Sequence, residues 1–159
     1  MMDITTAELF GMQLIGPLKE KGFKKRKLTW YRNDNEVTIV LYIQKSQWGK
    51  EVWYYDFGIG INCLHEKQIT SREKCEIGER FDQTLRHGIL SPCLRELIAS
   101  KFGEKYDKKI LTPKDVLDIL DLWIKKYGSI ELIKMAFEGD QLPYQTNRIA
   151  LSKLFTDVL

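Results

Sequence analysis

Between Glu51 and Asn62 the sequence alternates strictly. Trp53, Tyr55, Phe57, Ile59 and Ile61 fall on one side, and Val52, Tyr54, Asp56, Gly58, Gly60 and Asn62 on the other. Side chains that repeat every two residues fit an extended strand and no helix, so this segment predicts a strand with one face in a core. A strand of that length needs partners for its backbone, and the flanking sequence supplies them. Val37 to Lys45 sends Val37, Ile39, Leu41 and Ile43 to one face and Thr38, Val40, Tyr42 and Gln44 to the other. Trp30 and Arg32 alternate with Thr29 and Tyr31 just before it. The link Asn33-Asp34-Asn35 is turn chemistry, because Asn and Asp tolerate left-handed backbone angles. A second turn is expected around Trp48-Gly49-Lys50, and Cys75 to Phe81 gives a weaker fourth strand. Gly58 and Gly60 share one face, which predicts close approach of another element there: a tightly packed helix, or in the sharper reading a ligand groove.

The remainder reads as helix. Thr6 to Lys21 places Leu9, Phe10, Leu14 and Leu18 near one face, and Gly22 follows as a terminating glycine. Ser91-Pro92 and Thr112-Pro113 each have the sequence of a capping side chain followed by a first-turn proline. The helices they start run to Gly103 and Gly128. The second of them carries a strong apolar stripe of Val116, Leu117, Leu120, Trp123, Ile124 and Tyr127. Ser129 caps a shorter helix through Phe137, and a last helix spans about Thr146 to Val158. The expected fold is α+β: an N-terminal helix, an antiparallel meander of three to four strands, then a helical C-terminal half. All 159 residues are expected to form one domain, with 1–81 the helix plus sheet and 82–159 the helical part, since no linker or repeat divides the chain.

The longest run without a charged residue, Leu9 to Leu18, is half of what a spanning helix needs, so no membrane is expected. The first residues carry no basic segment ahead of an apolar one, which predicts a cytoplasmic protein. Cys63, Cys75 and Cys93 are an odd number at wide spacings, consistent with free thiols in a reducing compartment. Together with His65 and His87 they lack the short spacing of a structural zinc site, so no metal and no cofactor are expected.

Charge is informative only when resolved by position. The total is +3, but residues 1–50 carry 9 basic and 5 acidic side chains, and six of the basic ones lie among the nine positions from Lys19 to Lys27. Lys24, Lys25, Arg26 and Lys27 with Tyr31 form a basic, aromatic strip suited to phosphates and stacked bases, the pattern of single-stranded nucleic-acid binding. The plainer account is a solvated sheet edge. Trp48, in a turn, and Tyr54, on the less apolar side of its strand, form with Arg32 a candidate protein-binding surface. No catalytic motif stands out: Gly58-x-Gly60 lacks the rest of a dinucleotide fingerprint, and Asp56 with Glu76 or Glu79 could bring carboxylates together, although such groups more often pair with Arg72 or Arg80 or face water.

Several short motifs occur together in the first half of the chain. They are Lys21-Gly22-Phe23-Lys24-Lys25 through Trp30-Tyr31-Arg32, the strand end Ile43-Gln44-Lys45-Ser46, and Asp56-Phe57-Gly58, with Arg80 in Glu79-Arg80-Phe81. In these the chain resembles a bacterial family known as domain of unknown function 4304. The resemblance implies a bacterial origin and supports the fold, and it brings no activity with it. The expected function is a non-catalytic protein-binding module, immunity-like in character, with nucleic-acid binding as the alternative and a small-molecule enzyme near Asp56 third.

Overall fold

The computed structural model describes residues 6–45, 53–82, 91–103 and 111–156. Helix α1 (Thr6–Glu20) ends as the sequence requires. Gly22 sits at φ 89°, the Phe23 amide donates to Leu18 O and the Gly22 amide to Lys19 O, a paired closure that satisfies two end carbonyls. Leu18 and Phe23 meet beneath it in the core.

Six strands follow in a simple antiparallel meander: β1 (Lys24–Arg26), β2 (Thr29–Asp34), β3 (Val37–Lys45), β4 (Trp53–Ile61), β5 (Ile77–Asp82) and β6 (Gln145–Thr146). Three to four strands were expected, and the two extra ones lie at the edges. β1 is three exposed basic residues and β6 only two residues, so neither carries an apolar alternation that periodicity can detect. β6 also lies between helices, so the C-terminal half is not purely helical but returns to the sheet.

The helices are α2 (Pro92–Phe102), α3 (Pro113–Tyr127), α4 (Ile130–Glu138) and α5 (Arg148–Thr156). Their starts are set by side-chain caps. The Ser91 hydroxyl accepts from the Leu94 amide at 3.3 Å and Ser129 from Leu132 at 3.1 Å. Thr112 and Asp115 cap each other's backbone amides at 3.2 and 2.9 Å.

Strand register sorts the side chains. Trp30, Leu41, Phe57 and Glu79 occupy one row, and Ile39, Ile59 and Ile77 the next, all on the side facing the helices. Trp123 of α3 lies 5.5 Å from Phe57, which meets Phe81 edge-on at 5.1 Å, and Tyr127 closes the cluster against Trp123. One apolar cluster runs from Leu14 through the sheet to Leu151.

Candidate functional site

The other side of the sheet is built by the same alternation with different residues. Lys24 and Arg26 of β1, Tyr31 of β2, Tyr42 of β3, Tyr54, Asp56, Gly58 and Gly60 of β4, and Gly78 and Arg80 of β5 all stand on it. Part of this face is covered by the segment joining β4 to β5, residues 62–76, which crosses it as a strap. Close approach over the glycines is therefore real, but it comes from a connecting segment with single 3-10 turns at Asn62–Leu64 and Arg72–Lys74 and not from a packed α-helix. A Cβ on Gly58 would lie 2.6 Å from Arg72 Cδ and 2.8 Å from Cys75 Sγ, and one on Gly78 would overlap the Arg72 guanidinium. Ile69 occupies the space over Gly60.

Arg72 holds the strap down. Its Nε donates to Asp56 Oδ1 at 2.6 Å and its Nη2 to Gln145 Oε1 at 2.8 Å, so one side chain joins the strap to β4 and β6. Burial pushes the Asp56 carboxyl above its ordinary value, and the Arg72 charge and hydrogen bond work against that shift. The Cys75 thiol is pushed up to about 12, chiefly by burial, which makes it a poor nucleophile. At the strap's far end Glu76 accepts from the Ile61 amide at 2.8 Å and lies 2.8 Å from His65 Nε2.

Between the strap and the β1–β2 hairpin the face opens into a groove of about 370 Å³. Arg26, Lys27, Leu28 and Thr29 line one side and Thr70, Ser71 and Glu73 the other, with Tyr42 between them. Arg26 Nη1 donates to Thr70 Oγ1 at 3.0 Å. Lys24, Lys25, Arg26 and Lys27 make no ion pair among the described residues. No described acid therefore neutralises Arg26 and Lys27 at the groove.

The candidate residues are divided by the sheet. Lys24, Arg26 and Tyr31 share the groove side and Lys27 sits in the adjoining turn, but Lys25 faces the helices with its Nζ 5.6 Å from the Trp30 ring. The basic strip is therefore split, because alternate residues of a strand point in opposite directions. Arg32 is likewise on the helix side. It lies 5.0 Å over Phe23, donates to Lys21 O at 3.0 Å and is paired with Asp34 at 2.8 Å, so it pins the end of α1 to the sheet. Tyr54 is on the opposite face under Arg80, whose guanidinium carbon is 4.2 Å from the ring centre. Arg32 and Tyr54 do not share a surface. Trp48 lies outside the described residues, as do Ser46 and His87.

The carboxylates do not converge either. Asp56 is under the strap, Glu76 pairs with His65, and Glu79 lies on the helix side, buried, accepting from the Ser91 hydroxyl. Desolvation raises Glu79 to about 7 although Ser91 opposes the shift. His65 lines a separate hollow of about 330 Å³ with Lys67 and Lys74, and Asp56 is not part of it. Among the described residues no three His, Cys, Asp or Glu side chains are grouped to hold a metal ion. Leu28, Tyr42, Thr70 and Ser71 escaped the sequence reading. Tyr42 was within its reach, since it alternates with the apolar residues of β3.

A helix layer on one sheet face and a strapped, partly open second face define an α+β protein of six-stranded antiparallel meander type. The family model for the domain of unknown function DUF4304 matches residues 15–128, most of the chain, and the protein belongs to that family. No curated protein and no solved structure matches it. The match runs from α1 to α3 and contains both the strap and the groove. Gly22, Phe23 and Arg32, all within the matched range, form the knot between α1 and the sheet.

Proposed function

We propose that the protein is a single-domain, cytoplasmic bacterial module that works by binding another protein, immunity-like in character and without catalysis. The observation that carries the reading is the groove beside the strap, where unpaired cations adjoin apolar surface. Leu28 is 52% exposed at its rim, and Tyr42 is half-buried within it. A partner with acidic side chains around an apolar one complements such a lining. Free Cys63, Cys75 and Cys93 suit a reducing compartment, and no helix among the described residues is long and apolar enough to cross a membrane.

A nucleic acid fits this face less well. The ring of Tyr54 is already engaged by Arg80, Lys25 points away, and Glu73 sets negative charge in the groove where phosphates would run. Arg32 is spent on the fold. Trp48, outside the described residues, stays a candidate on its sequence alone.

Capture from the native cells tests this reading. A protein retained by the wild type after nuclease treatment, and released when Leu28→Asp or Tyr42→Ala is introduced, is the expected result. Equal retention by those variants, or recovery that depends on intact nucleic acid, contradicts it.

A further inference from the structure

Two hairpins of the sheet turn on two residues each. Asn35 and Glu36 join the paired residues Asp34 and Val37, and Lys27 and Leu28 join Arg26 and Thr29. In both, the first turn residue has positive φ, 67° at Asn35 and 56° at Lys27. Asparagine tolerates that angle because its short polar side chain bonds locally, whereas a lysine Cβ crowds the following carbonyl. Glycine or asparagine is the ordinary occupant. The second position is equally unexpected, because Leu28 leaves half its surface in water. The first hairpin has the turn chemistry the fold needs. The second departs from it at both positions, and both side chains line the groove.

Strain that the fold does not require is accounted for when the side chain it presents has work to do. Lys27 makes no ion pair among the described residues, and Arg26 uses only Nη1, on Thr70. Thr70, whose hydroxyl accepts from Arg26, and Ser71 line the same groove. We propose that the Lys27–Leu28 turn is the anchor of the binding face: Lys27, Arg26, Thr70 and Ser71 receive a side-chain carboxylate of the partner protein, and Leu28 packs on its methylenes. Glu73, the one acid in the lining, sets the selectivity, since it repels a doubly charged phosphate more than a singly charged carboxylate. The inference rests on the protein-binding reading above and names the group that the partner contributes.

The test uses an acetylated, amidated hexaglutamate peptide titrated into isotopically labelled protein, with inorganic phosphate as a parallel arm. The peptide is expected to shift the amides of residues 26–28 and 70–73. Lys27→Gly is expected to weaken it about tenfold, the loss of one charge-assisted hydrogen bond, while raising the Tm. Lys27→Arg should keep the affinity. Lys25→Gln, which removes the same charge from the opposite face, should leave it unchanged. Undiminished binding by Lys27→Gly, a Tm that does not rise, or tighter binding of phosphate at the same amides overturns the assignment. Partner capture separates the two levels: loss with Leu28→Asp but not with Lys27→Gly removes the anchor and leaves the protein-binding reading intact, whereas retention by both removes both.

Discussion

The two faces of the sheet are finished by opposite means. On the helix side large apolar residues project from every central strand and five helices cover them. On the other side the middle of the sheet carries Gly58, Gly60 and Gly78 beside the buried Thr38 and Val40, and the covering element is a short strap whose Arg72, Ile69 and Cys75 fill the space that side chains would take at the glycines. An apolar face gains stability from area removed from water, at about 25 cal/mol per Å². The glycine face gains position: it fixes the strap through Asp56 and Gln145, and where the strap stops, the groove begins. The apolar face thus carries the core, and the proposed recognition surface lies on the other.

The largest expected effect lies on the helix side. Trp123→Ala removes a fully buried ring tilted against Phe57 and is expected to cost about 3–5 kcal/mol in chemical denaturation, with the groove chemistry unchanged if the protein still folds. A loss near zero would mean that the helices do not rest on the sheet as described.

Next comes a pH effect on the same face. Glu79 is raised to about 7 by burial, against about 4.5 in the unfolded chain. Below the lower value both states hold the proton and its full contribution is present. As pH rises from about 4.5 the unfolded chain loses its proton first, so stability falls until about pH 7 and then levels. The size is on the order of 3 kcal/mol, from about 1.4 kcal/mol per pH unit. Unfolding free energies of wild type and Glu79→Gln from urea titrations, compared across this window, should diverge by that amount. Parallel curves would show that Glu79 is ionised in the folded state.

On the strapped face the expected effect is smaller and specific. Gly78→Ala drives a methyl into the Arg72 guanidinium and should cost about 1–3 kcal/mol, as overpacking does. Arg72→Ala made in that background should then cost less than it does alone, because the clash leaves with the side chain. Additive losses would mean that Arg72 does not lie on Gly78.

The two faces also differed in how far the sequence disclosed them. The helix side was legible: apolar residues at period two in β3 and β4 and at helical spacing in α3, with Ser91, Thr112 and Ser129 marking starts, define its elements closely. The glycines announced close approach, but nothing in Asn62 to Glu76 revealed that a strap would supply it. That contact depends on Arg72 reaching Asp56 and Gln145, and Gln145 is 73 residues further along the chain. The basic cluster from Lys24 to Lys27 was visible as charge, and its division between faces depended on β1, a strand too short to show alternation. Lys27 reads as one more cation in the sequence; only its backbone angle sets it apart.

Whether the open end of the glycine face is the recognition surface is tested most directly by site-specific photocrosslinking in the native cells. A photoreactive residue is placed at Leu28, 52% exposed beside the groove, or at Ile149, 72% exposed on α5. A nuclease-resistant protein adduct at Leu28 and none at Ile149 is the predicted result. An adduct at Ile149 alone, or equal adducts at both positions, contradicts the account.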